Sequence, residues 1–298
     1  MRKPVTLVLL VGLVLAGCSD DGTDDSGLLG ALGRVRATVQ TRMAVEYGRP
    51  ARVRELVDQH GNRYRALVGM GYSSVASYSL TVKDALDLDL GGFDEAILAG
   101  APPKQATVLL GQYDVSAVDG KLRDLHVDGK AGDGGTRWRA ADDYEINLED
   151  GPFADVAPLA QFNDIRTGVG SFAFAPAAAG IDWVTEPGDT TLADDDVLGP
   201  LARCLGDVVA AQLSSAGQAV AVRDDATEVI CLKADRAKVS DALKGDVPST
   251  GKPWDELVPG ARVDQYGALA RVTIPPRDDQ EVGRVLRMMR TADLAWLQ

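Results

Sequence analysis

Hydrophobic and polar positions alternate cleanly between residues 37 and 47. Ala37, Val39, Thr41, Met43, Val45 and Tyr47 fall on one side, with Thr38, Gln40, Arg42, Ala44 and Glu46 on the other. A period of two predicts a half-buried strand. Before it, Leu28, Leu29, Leu32 and Val35 recur at helical spacing. After it, Pro50 opens a short helix through Val57, because proline's fixed φ suits the first helical turn. Residues 170–175 and 268–274 read as strands closed by Pro176 and Pro275. Residues 218–223 and 227–233 read as a hairpin around Asp224-Asp225-Ala226. Val197, Leu198, Leu201, Leu205, Val208 and Val209 predict a helix with Pro200 in its first turn. A final helix is expected to open on the capping-box pair Asp278 and Glu281, with Val282, Val285, Leu286 and Met289 on one face.

A weak internal repeat organises these elements. Residues 106–114 form an apolar run ending in Asp114, followed by Val115, Val118, Leu122 and Leu125 at helical spacing. Residues 226–235 form a second run ending in Asp235, followed by Ala237, Val239 and Leu243. At one common offset Val108 matches Val229, Leu109 matches Ile230, Asp114 matches Asp235, Val118 matches Val239 and Leu122 matches Leu243. Each unit is a strand, an Asp placed to cap, and a helix with an apolar face. The pattern predicts an α+β fold of two similar lobes of antiparallel strands with packed helices. Residues 186–196, rich in Asp, Pro and Gly, mark the boundary, so the lobes are expected at 27–190 and 191–298.

The first 26 residues follow a different logic. Arg2 and Lys3 precede an uncharged, mainly aliphatic stretch from Val5 to Ala16, which ends in Leu15-Ala16-Gly17-Cys18. The stretch suits a signal peptide and is too short for a permanent membrane helix. An apolar residue and two small ones before a cysteine resemble the lipobox of bacterial lipoproteins. The resemblance implies removal of residues 1–17 and a diacylglyceryl group on the Cys18 thiol. Two acyl chains bury enough methylenes, at about 0.8 kcal/mol each, for stable anchoring. Residues 18–26 then form an acidic tether with four Asp and no apolar residue after the cysteine. The spacing of those Asp does not follow a calcium loop. The body from about Leu28 onward is similar to lipoproteins of actinobacteria, a likeness that implies repeated strand–helix lobes and no particular activity.

The chain has 298 residues and a formal charge of −13. An acidic body argues against a nucleic-acid partner, which needs a basic stripe. It also argues against adhesion of the body itself to anionic lipid. Besides Cys18 there are two cysteines, Cys204 and Cys231. An exported chain with an even remainder favours a disulfide between them, here joining a helix to a strand.

No motif points to catalysis, a cofactor or a metal. Gly168-Val-Gly-Ser-Phe-Ala173 resembles a dinucleotide fingerprint but leads into a strand, whereas the chemistry needs a helix N-terminus there. Ser249-Thr-Gly-Lys252 has a serine–lysine spacing, yet lies in a proline-flanked loop. Asp87 to Asp94 is acidic but reads as a break between helices, with Leu98 where a calcium loop needs its Glu. His60 sits in a turn, and His126 ends a helix whose dipole favours a cation. The expected function is therefore a membrane-anchored extracytoplasmic lipoprotein, with a body that binds an envelope protein or serves a structural role. Two alternatives stand beside it. One is a carrier of lipid or another apolar ligand in a groove between the lobes, with Trp138, Trp183, Trp254 and Trp296 available to line it. The other is an envelope hydrolase, which would place His60 or His126 beside a carboxylate and a Ser in a cleft.

Overall fold

A computed structural model describes residues 27–146, 151–157, 160–278 and 280–297. The leader, Cys18 and the acidic tether lie outside them. The chain folds as antiparallel strands with packed helices, in the α+β class. Among the described residues, twelve strands form one continuous sheet.

The first half begins with α1 (Gly27–Gly33), then β1 (Ala44–Gly48), α2 (Pro50–His60) and α3 (Ser79–Leu86). A hairpin of β2 (Glu95–Ala101) and β3 (Lys104–Leu110) leads to α4 (Val115–Asp124). Two further hairpins follow, β4 (Asp128–Gly132) with β5 (Gly135–Arg139), and β6 (Asp164–Gly168) with β7 (Ser171–Ala175), before α5 (Ala178–Thr185). The second half runs α6 (Leu198–Leu205), β8 (Ala210–Ser214), β9 (Gln218–Val222), β10 (Glu228–Leu232) and α7 (Arg236–Ala242). It ends with α8 (Trp254–Leu257), β11 (Arg262–Tyr266), β12 (Leu269–Ile274) and α9 (Arg284–Arg290).

The strand order is β11-β12-β10-β9-β8-β1-β2-β3-β7-β6-β5-β4. It reads outward from the centre in the same way on both sides. β1-β2-β3 and β8-β9-β10 are three-stranded meanders. Each is followed by a helix capped by an Asp, and then by a returning hairpin whose second strand pairs with the third strand of the meander. Residues 106–125 and 227–245 therefore share their element order, strand then helix. Asp114 accepts from the Ala117 N–H, and Asp235 from the N–H groups of Ala237 and Lys238. Val118 on α4 and Val239 on α7 are both buried. The halves join where β1 pairs antiparallel with β8. The β4–β5 hairpin, an addition to the first half, forms one edge.

One face of the sheet is covered by α1, α5 and α6, which pack on Val45, Tyr47, Ile97, Ala99, Ala211 and Leu213. The other face carries the remaining helices, over Val220, Ile230 and Val272 in the second half and Leu109, Ile165 and Phe172 in the first. The segment expected to divide the lobes is itself packed. Leu192 is fully buried, and Arg36 pairs with Thr191 in an isolated bridge.

Two expectations are corrected. The strand predicted over 37–47 is a turn followed by the short β1. Thr41 is buried and its hydroxyl donates to the Arg36 carbonyl, while the Thr38 and Thr41 backbone N–H groups bond to each other's hydroxyl. These side-chain bonds compete with strand pairing and win. Val39 and Met43 are left 75% and 52% exposed. Second, Asp278 and Glu281 do not cap the last helix. α9 starts later, and the Glu228 carboxylate at the head of β10 accepts the N–H groups of Gly283 and Arg284. A cap supplied by a distant strand leaves no local sequence signature.

Candidate functional site

A cleft of about 840 Å³ opens at one end of the central seam. It is built where several elements of both halves begin or end. α1 contributes Gly27, Leu28 and Leu29, with Arg34 just beyond it. Arg49 follows β1, Asp94 and Glu95 open β2, and Leu110 and Gly111 close β3. The end of α6 adds Ala202, Arg203, Gly206 and Asp207.

Local backbone chemistry creates this opening. β1 stops at Gly48, where a Cβ would sit 2.2 Å from the Met70 carbonyl oxygen, so only glycine fits. α6 stops at Gly206, whose φ of 76° is easy for glycine and costly for other residues. Helix and strand thus end beside each other, and their neighbours Arg49 and Asp207 approach to 3.9 Å.

Glu95 ties the floor together. Its Oε1 accepts from the Gly27 N–H at 2.8 Å and from the Tyr47 hydroxyl at 2.8 Å. Burial, followed by the Glu95 charge, pushes the Tyr47 hydroxyl far above the ordinary phenol range, so it stays a hydrogen-bond donor. Arg34, Arg49 and Arg203 face the same space as Asp94, Glu95 and Asp207. With Leu28, Leu29 and Leu110, the lining offers both charge signs and an apolar wall. Such a surface suits an amphiphile or the polar rim of a protein partner better than a uniformly charged ligand.

A second groove of about 240 Å³ lies over the second half. Val197, Pro200 and Leu201 form one side, with Tyr266 and Leu269 opposite. Its lining is more apolar and it holds fewer polar groups that could orient a ligand.

The sequence candidates lie elsewhere. Cys204 and Cys231 form a disulfide from α6 to β10, with Cα atoms 6.2 Å apart. The pair is fully buried and serves the core. His60 is exposed at the end of α2, and His126 is exposed just after α4. Neither lines the seam cleft. Gly168 to Ala173 spans the end of β6, a two-residue turn at Val169 and Gly170, and the start of β7. Ser249 and Lys252 are exposed in a turn. Asp89 caps a short 3-10 turn after α3 by accepting from the Gly91 N–H. No group of metal-ligating side chains forms among the described residues. Trp138 and Trp254 are buried in the sheet cores, Trp183 on α5 packs against the apolar cluster on the face that α1, α5 and α6 cover, and Trp296 is exposed; none lines the cleft. Sequence reasoning missed Arg34, Arg49, Arg203, Asp94 and Glu95. Each looks like an ordinary surface residue until the β1–β8 pairing brings the two halves together.

No family model matches the chain, and no curated protein matches it. A solved structure, that of TP0453 in its crystal form I, aligns over 88% of this chain and 97% of its own. The TM-score is 0.33 and the sequence identity 9%, a likeness that carries no argument about fold or function.

Proposed function

We propose that the chain is a lipid-anchored protein of the extracytoplasmic face of the cell membrane. Its body is a non-catalytic binding module, and the seam cleft is its binding surface. The reading begins from Leu15-Ala16-Gly17-Cys18 and the leader before it.

One observation connects anchor and cleft. The tether would enter the body at Gly27, which lines the cleft and bonds to Glu95. Only nine residue steps separate Cys18 from Gly27. Fully extended, they reach at most about 30 Å, at roughly 3.4 Å per residue. A cleft held that close to the bilayer meets membrane-associated ligands before soluble ones. Its mixture of leucines with both charge signs fits an amphiphilic occupant, which draws the carrier alternative into the same site. No helix among the described residues is long and apolar enough to cross a membrane.

Metabolic labelling with a clickable fatty acid tests the anchor. The natural protein should take up label, and its N-terminal peptide should begin at an acylated Cys18. Cys18→Ser should carry no label and retain residues 1–17. An unlabelled natural protein, or a mature chain that still contains Arg2 and Lys3, would overturn the proposal.

A further inference from the structure

Another groove lies towards the β4 edge of the sheet, where the β4–β5 hairpin meets β6. Directly paired residues share a face. Asp128 pairs with Arg139, and Arg139 with Asp164. Two residues along, Lys130 pairs with Arg137, and Arg137 with Arg166. Six charged side chains in two adjacent rows therefore share one face. The reverse face is ordinary core, with Trp138 and Ile165 buried. α5 walls one side, and the resulting groove has a volume of about 380 Å³.

Asp164 lies in this groove and is only 1% exposed. Its Oδ2 has no hydrogen-bond partner. The nearest cations are loose: Arg137 Nε is 3.5 Å from Oδ1, and Arg139 Nη1 is 3.9 Å from Oδ2. A buried carboxylate oxygen without a donor is costly, so a site that retains one is poised to accept from a ligand. Arg137 is held in place by Asp182 at 2.9 Å and the Ala178 carbonyl at 2.7 Å. It is thus oriented while still 38% exposed. Lys130 is exposed at the sheet edge.

The donor that Asp164 lacks cannot be a cation, because two guanidiniums already flank the carboxylate and would repel an ammonium. A hydroxyl donates without that cost. An anion gains Lys130 and the outward N–H groups of two arginines that already hold carboxylates, Arg137 with Asp182 at 2.9 Å and Arg139 with Asp142 and Asp143 at 3.2 and 3.3 Å, but it is repelled by Asp164. We propose that the groove binds the phosphate ester of a small polyol. The phosphate lies against Lys130, Arg137 and Arg139, and a neighbouring hydroxyl donates to Asp164 Oδ2. Such a group occurs as a free phosphomonoester or as the phosphodiester of a lipid or polymer headgroup. This site does not depend on the anchor or on the seam cleft.

Isothermal titration of the purified full chain tests it, with glycerol 3-phosphate, glycerophosphoglycerol, inorganic phosphate and glycerol as probes. At least one ester should bind about tenfold more tightly than either phosphate or glycerol, the worth of one charge-assisted hydrogen bond. Preference for the monoester marks a free metabolite, and preference for the diester marks a headgroup; both support the site. Lys130→Ala, at an exposed edge, should weaken the ester about tenfold without unfolding the chain. Asp164→Asn should weaken the ester and tighten phosphate, since the repelling charge is gone while only a neutral acceptor remains. Phosphate binding as tightly as both esters, no binding by any probe, or an unaffected Lys130→Ala overturns the proposal.

Discussion

Two buried carboxylates show how far a single residue depends on its surroundings. Glu228 accepts from the backbone of Gly283 and Arg284, and its Oε2 lies 3.2 Å from Arg284 Nε. Asp164 is equally buried but keeps one oxygen unbonded. Burial pushes both above their ordinary values, against the pull of the arginines. Around Asp164 the opposing charges are Arg137 and Arg139, with Asp143 reinforcing the rise. A carboxyl whose pKa is raised on folding contributes stability below its unfolded value and loses it as pH climbs through the folded value. For Asp164 that unfolded value is 3.8. Acidification from neutrality towards pH 4 should therefore recover stability from this group. Asp224 is depressed by its hydrogen bonds to Arg52, so it loses its contribution only as pH falls below 3.8, and Glu228, raised like Asp164, changes alike in the natural protein and in a variant of Asp164. Urea denaturation across that range should show Asp164→Asn with a flatter pH dependence than the natural protein. An identical slope would mean that Asp164 titrates as if in water. None of this was legible beforehand: Glu228 reads as an ordinary polar strand start, and its partner Gly283 lies 55 residues away.

At the scale of elements, local codes were readable and long-range ones were not. Asp114 and Asp235 were visible as caps because a cap and its target lie within one helical turn. The β4–β5 hairpin was invisible. Its first strand, Asp-Gly-Lys-Ala-Gly, has no apolar alternation, since it is an edge exposed throughout. The alternation over 37–47 misled in the opposite direction, because its first half belongs to a threonine turn. Val39→Ser should thus change stability by no more than about 0.5 kcal/mol, the usual range for surface positions. Val45→Ala, at 1% exposure inside β1, should cost about 2 kcal/mol. Equal costs in urea titrations would restore the longer strand. The disulfide closes a separation of 27 residues. Replacing both Cys204 and Cys231 by alanine should lower stability by about 3.5 kcal/mol in the chain-entropy account. A loss below about 1 kcal/mol would mean that α6 holds on β10 through packing alone.

The whole molecule poses a problem that its repeat does not solve alone. A meander such as β1-β2-β3 leaves its first strand as an edge, with unpaired backbone groups that invite association. Here each half covers the other's edge. Val45 pairs with Leu213, and Tyr47 with Ala211, so the seam is ordinary sheet interior. α1 and α6 pack in one apolar cluster over it, and the connecting segment 186–196 folds back on Arg36 and Ala37. The repeat in the sequence foretold two similar units but not their fusion, because pairing between first strands depends on β1 and β8, which lie outside the matched residues. Fusion has a measurable consequence. Two lobes joined by a free linker would melt separately, whereas halves that share a sheet should unfold together. Trp138 reports on the first half and Trp254 on the second, each buried in its own core. In urea, Trp138→Phe and Trp254→Phe variants should each give a single fluorescence transition that coincides with the loss of far-ultraviolet dichroism in the same variant. Each midpoint will shift with that substitution's own cost, so the comparison is made between probes within a variant. Probe-dependent midpoints would show the seam opening first. The cleft at its end would then be a site that the protein can widen without unfolding.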